Sequence, residues 1–302
     1  MSLLFESFVE WKAHCNDKAV PLWQPVVDYE ITQKGRPEAQ IWQQLETAWY
    51  VMKDAVETGL NEDMQSVSGM INNGAKKVYQ YGTAVLSPEF QKLISRALAA
   101  KEVNSCMGRV VAAPTAGASG ILPGTLFTLQ EIHQISDDEI YKGLLIGAGI
   151  ALILEKRASI AGAVGGCQAE TGAAAAMASG AIVYCLGGNI DQVFNGVAIT
   201  IQCMLGLVCD PVAGLVEIPC VVRNASAAAI ANSSAQIALA NVSGVIPVDE
   251  CVQAMGEIGQ SMDTKYKETA LGGLAATPTG QRIAKQVLIQ DIEVLDGEEG
   301  LE

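Results

Sequence analysis

Apolar residues recur at helical intervals through the first sixty positions. In Ile41-Trp42-Gln43-Gln44-Leu45-Glu46-Thr47-Ala48-Trp49-Tyr50-Val51-Met52 they fall three and four apart, which predicts an amphipathic helix. Pro21 and Pro25 break the stretch before it, and Lys34-Gly35-Arg36-Pro37 reads as a turn. A further helix is predicted over Ser87–Cys106. Its start signal is Ser87-Pro88-Glu89, a hydroxyl to cap, a proline for the first turn and an acid beside the helix dipole.

The pattern then changes. From Ala158 to Val248, 91 residues carry five charges: Glu170, Asp191, Asp210, Glu217 and Arg223. Runs of Ala, Val, Ile and Leu are punctuated by Gly, with little strand-like alternation, so the segment predicts buried helices rather than sheet. Polar groups in such an interior need partners, because an unpaired one costs about 1–3 kcal/mol. Past Asp249 the chain is amphipathic again. Asp291–Glu302 holds six acids and no base and reads as a solvated tail. The expected fold is mostly α, a single helical-bundle domain with a buried, Gly/Ala-rich helical core. It spans 1–302, with a helical N-terminal segment at 1–60, a core at 61–290 and an acidic tail at 291–302.

A net charge of −14 argues against nucleic acid as a partner, since phosphate binding needs a basic face. The longest apolar stretches, Gly143–Leu154 and Val193–Val208, are too short or too polar to span a bilayer. Met1–Glu10 has no basic segment of the kind that opens an export leader. With eight cysteines and no such leader, the expectation is a reducing, cytoplasmic setting and thiols used for something other than disulfides.

Local context sorts those cysteines. Cys185 and Cys203 lie within apolar helical runs and are expected in the core. Cys167, Cys209 and Cys220 fall at breaks: after Gly165-Gly166, before Asp210-Pro211, and after Pro219 at the start of a predicted helix. A thiol at a helix start feels positive backbone dipoles that favour the thiolate. Three thiolates suit an iron–sulfur cluster with one iron left without a protein ligand. Separations of 42 and 11 residues are not a compact ligand motif, and three unrelated buried thiols would have the same spacing.

Four segments carry a family resemblance. Met107-Gly108-Arg109-Val110-Val111-Ala112-Ala113-Pro114-Thr115-Ala116-Gly117-Ala118-Ser119-Gly120-Ile121-Leu122-Pro123-Gly124 resembles the signature of the serine dehydratase α domain. So do Gly165-Gly166-Cys167-Gln168-Ala169-Glu170-Thr171-Gly172 and the run from Cys209-Asp210-Pro211 through Pro219-Cys220 to Arg223-Asn224. The fourth is Lys265-Tyr266-Lys267-Glu268-Thr269-Ala270-Leu271-Gly272-Gly273-Leu274. The resemblance implies the α subunit of a two-chain, iron–sulfur-dependent L-serine dehydratase, independent of pyridoxal phosphate. It implies a 4Fe-4S cluster on Cys167, Cys209 and Cys220, and β-elimination of water from L-serine to pyruvate and ammonia. An open iron would act as Lewis acid on the hydroxyl.

Thr115, Gly117, Ser119 and Gly120 are expected to receive the substrate carboxylate, because a Thr/Gly/Ser loop before a helix offers N–H groups and hydroxyls to an anion. Asn72 and Lys267 are further substrate-binding candidates. The only histidines, His14 and His133, lie outside every motif. In the single-chain members of the family a histidine in a Ser-Ser-His-Thr motif is the attractive base, and no such motif occurs here. The base is therefore expected on a separate β subunit, with a homo-oligomer of the heterodimer as a further expectation. An L-cysteine desulfidase-type lyase and a non-catalytic cluster-carrying scaffold are the competing readings.

Overall fold

The computed structural model describes residues 5–298 except Val67, Thr83 and Ala84, with side chains to Ile289. It is a single all-α domain of thirteen helices, and no strand occurs among the described residues. The centre is α9 (Ala173–Cys185), whose residues up to Val183 are all buried. It is wrapped by α6 (Ile121–His133), α7 (Asp137–Arg157), α10 (Ile190–Met204) and α11 (Cys220–Leu239). Alanines and Gly180 on α9 leave no long side chains to hold its neighbours off, so the Gly/Ala richness of the sequence becomes close helix packing.

A second layer is built on α5 (Pro88–Ser105), which contacts α3 (Glu38–Asn61), α4 (Gly74–Tyr81), α6 and α11. Its start is the one expected, with Ser87 Oγ accepting the Phe90 N–H at 3.3 Å and Pro88 in the first turn. Glycines let backbones meet at α5. A Cβ on Gly124 of α6 would lie 2.6 Å from the Ala97 nitrogen, and one on Gly59 of α3 would lie 2.7 Å from the Ala99 carbonyl carbon.

The N-terminal helices α1 (Phe8–Lys18) and α2 (Gln24–Lys34) clasp this body. Pro25 opens α2 in its first turn rather than ending a helix, because that position needs no N–H donor. Trp11 is fully buried, stacks on Phe5 at 4.7 Å and donates its indole N–H to the Leu22 carbonyl at 3.0 Å. Asp249, at the start of α12 (Val248–Ser261), accepts the N–H groups of Phe8 and Val9 at 3.1 Å each and pairs with Arg157. One carboxylate thus caps α1 and fastens it to the end of α7.

Two expectations need correction. Cys203 is exposed, because α10 turns only one face to α9 and α11, and Gln202 and Cys203 lie on the other. The nearly charge-free segment is also not interior throughout: after α11, Val242 and Val245 stand open to solvent. Cys185 is partly buried at the end of α9, against Gly143. The remaining elements are the short α8 (Gly162–Gly165) and α13 (Pro278–Glu298), whose backbone helix runs into the stretch read as an acidic tail. The side chains of Asp291–Glu302 lie outside the described residues.

Substituting Gly124→Ala sets helix propensity against packing. Alanine favours the helix by about 1 kcal/mol, but the new methyl meets backbone atoms of α5 that cannot rotate away. Overpacking of this kind costs about 1–3 kcal/mol or more. Urea denaturation of the variant is expected to give a lower midpoint than wild type.

Candidate active site

The three motif cysteines come from separate segments and meet beneath the start of α9. Cys167 follows Gly166, whose φ of +75° and tight fit against Met262 leave no room for a side chain. It opens a π-helical turn, Gln168–Gly172, that runs into α9. The wide turn brings the Thr171 hydroxyl to 2.9 Å from the Cys167 sulfur. Gln168 anchors the turn: its side-chain amide donates to the Met255 carbonyl at 2.9 Å and accepts the Gly206 N–H at 2.8 Å.

Cys209 lies in the extended segment between α10 and α11. Its N–H donates to the Tyr266 carbonyl at 2.8 Å, and its carbonyl accepts the Glu268 N–H at 2.9 Å. The neighbouring Asp210 pairs with Arg223 of α11 at 2.9 Å and accepts the Leu274 N–H at 2.7 Å. Cys220 is the first residue of α11. All three thiols are buried. The neighbouring Cys209 thiol, with the Thr171 hydroxyl, pulls Cys167 down to about 7, while the same contact and burial push Cys209 up. Burial pushes Cys220 up to about 12.

A carboxylate joins the cysteines to the first motif. Thr115 donates its hydroxyl to Glu170, which is buried in the π-helical turn. A Cβ on Gly117 would lie 2.7 Å from the Glu170 carboxyl carbon, so only glycine fits against it. On its other side Glu170 faces Gly162: the Cβ position there is 3.2 Å from the Cys209 sulfur, 3.3 Å from Glu268 Oε2 and 3.5 Å from Glu170 Oε2. Burial pushes the Glu170 carboxyl above the usual carboxylate range, and the Glu268 charge adds to this. Asn224 of α11 is fully buried and completes the assembly. Its Nδ2 donates to the carbonyls of Gly117 (2.8 Å) and Cys220 (2.9 Å), and its Oδ1 accepts the Gly120 N–H at 2.9 Å.

The serine dehydratase alpha chain family matches residues 17–275 of this sequence. The chain belongs to that family. The L-serine dehydratase alpha chain of Peptoniphilus asaccharolyticus is 42% identical over 277 residues, covering 91% of this chain and 95% of the relative. A probable L-serine dehydratase alpha chain of Bacillus subtilis is 43% identical over 263 residues, 86% of this chain and 87% of its own. L-serine dehydratase 2 of Escherichia coli is 33% identical over 290 residues, which are 90% of this chain and 61% of that longer protein.

In this serine dehydratase alpha chain family member, the candidates named from sequence separate. Thr115 and Gly117 border Glu170, beside the cysteines. Ser119 and Gly120 are buried behind the loop, with Gly120 committed to Asn224 and the Ser119 hydroxyl without a partner among the described residues. Among the described residues, the N–H groups of Thr115, Ala116 and Gly117 donate to no protein acceptor. Lys267 pairs through its backbone with Cys209, its side chain half-buried. Asn72 is not brought to the cysteines: it is exposed, its carbonyl taken by Lys77 at 2.8 Å. His133 ends α6, so thirteen residues, about 20 Å of helix, separate it from Gly120. Among the described residues, no group of three or more His, Cys, Asp or Glu side chains is arranged to hold a single metal ion.

Sequence reasoning missed Glu170 as the hub, Glu217 and Lys101. Lys101 is buried inside α5, where its Nζ donates to Asn104 Oδ1 (2.6 Å), Ser105 Oγ (3.2 Å) and the Val216 carbonyl (2.8 Å). Burial pulls it down to about 8. A lysine with a lowered folded-state pKa binds its proton less tightly folded than unfolded, so stability rises with pH between about 8 and the unfolded value near 10.4. Relative to Lys101→Met, the wild-type unfolding free energy is expected to rise by up to roughly 3 kcal/mol across that window. Denaturation of both proteins at pH 7.5 and about pH 10.5 checks this.

Proposed function

We propose that this chain is the cluster-bearing subunit of a cytoplasmic L-serine dehydratase, a lyase that eliminates water from L-serine to give pyruvate and ammonia. The observation that carries the reading is the convergence of Cys167, Cys209 and Cys220 with the Thr115–Gly117 loop around Glu170. The relatives named above, L-serine dehydratases and their alpha chains, support the same reaction.

Three buried cysteines from separate segments are the soft donor set that a 4Fe-4S cluster takes. Such a cluster, held by three cysteines, supplies an iron free to act as Lewis acid on the departing hydroxyl.

The chain's own residues do the rest. The open N–H groups of Ala116 and Gly117 receive the substrate carboxylate, as two aligned donors do for an anion. Glu170 and Asn224 fix that loop against the cysteines, which presets its distance from the reacting centre. Burial of all three thiols keeps water away. No histidine of this chain stands at the site, so a separate β subunit provides the base for the α-proton.

Anaerobic reconstitution is expected to load about four irons per chain with broad visible absorption, lost in Cys167→Ala. Mixed with its β subunit, the loaded chain is expected to form pyruvate from L-serine at least about tenfold faster than alone, a gain in the range that a positioned base provides. Equal iron uptake by wild type and Cys167→Ala, or equal rates with and without β, would sink the reading.

A further inference from the structure

Beside the Thr115–Gly117 loop lies a cavity of about 360 Å³, walled by Ala116, Gly117, Ser68, Leu215, Glu217 and Val287 of α13. Glu217 is buried there in an unusual state. Its Oε2 accepts the hydroxyls of Ser66 and Ser68, each at 2.6 Å, which orients the carboxylate by two donors on one oxygen. Among the described residues, its other oxygen has no donor and stays accessible, and no Lys or Arg pairs with the carboxylate. Lys101 is close enough in charge to matter, yet its three N–H groups are already taken by Asn104, Ser105 and the Val216 carbonyl. A carboxylate held on one oxygen, with the other open and no cation paired to it, is receptive to a positively charged group.

The same cavity carries a complementary deficit. Ala116 and Gly117 line it too, and their N–H groups have no acceptor among the described residues. One open carboxylate oxygen and two open N–H donors on one cavity match a molecule bearing an ammonium and a carboxylate, an α-amino acid zwitterion. We infer that Glu217, aimed by Ser66 and Ser68, is the receptor for the substrate's α-ammonium group, in the same cavity as the carboxylate site at Ala116 and Gly117. The inference rests on the dehydratase reading and adds to it what selects an amino acid over a simple hydroxy acid. Three residues after Glu217 comes Cys220, so one short loop carries the ammonium receptor and a proposed cluster ligand.

The test compares L-serine with 3-hydroxypropanoate, which keeps the hydroxyl and carboxylate and lacks the ammonium. The KM for L-serine and the inhibition constant of 3-hydroxypropanoate are measured on the cluster-loaded complex with β, for wild type, Glu217→Gln and Ser68→Ala. A hydrogen bond to a charged group is worth about 1.5–3 kcal/mol, so serine affinity is expected to fall about 10–100-fold in Glu217→Gln while 3-hydroxypropanoate affinity holds. Ser68→Ala, which keeps the carboxylate but loosens it, should show a smaller loss of the same selectivity, and it carries the test if Glu217→Gln does not fold. Equal weakening of both ligands, or none, overturns the Glu217 assignment alone. A wild-type complex that binds neither ligand overturns the dehydratase reading, and this inference with it.

Discussion

Asn224 holds the site together. Its buried amide donates to the Gly117 and Cys220 carbonyls and accepts from Gly120, so the turn before α6 and the start of α11 share one set of hydrogen bonds. Such a group is stable in an apolar interior only when satisfied, and the two loops satisfy it only in one relative placement. Gln168 and Asp210 act alike at the other two cysteines. Each motif therefore carries its own buried polar anchor, and the anchors rather than the cysteines fix the geometry.

The helical layer makes this possible. Because α9 is lined by alanine and glycine, five helices pack closely around one axis, and their connections at one end are drawn together. The thiols, Glu170 and the Thr115–Gly117 loop belong to those connections. Charge is then handled locally. Glu170 is set off from bulk water between two glycines, Lys101 is wholly enclosed by neutral acceptors, and Asp210 is matched to Arg223. A chain with a strongly negative total charge thus carries its functional charges one at a time.

Much of this was legible before the fold was known. The start of α5 followed from Ser87-Pro88-Glu89, that of α11 from Pro219-Cys220, and the buried bundle from the near absence of charge after Ala158. Local signals of this kind are written within a few residues. Glu170, Glu217 and Lys101 were not legible, because what makes each unusual is a partner 50 to 150 residues away: Thr115 for Glu170, Ser66 for Glu217, Val216 for Lys101. Lys101 in particular sits where an amphipathic helix would show an exposed lysine. Cys203 failed for the opposite reason, since an apolar run does not say which face of its helix turns outward.

The Asp249 clamp has a consequence in time. The two N–H groups it caps at the start of α1 lie about 240 residues earlier in the chain. A ribosome adding about 5–20 residues per second reaches Asp249 only on the order of 10–50 s after α1 has emerged. Through that interval the start of α1 lacks its cap, and for most of it Phe8 and Trp11 lack Phe194 to pack on. The nascent amino terminus is thus a waiting apolar segment, and its docking is among the last long-range steps of the chain's maturation.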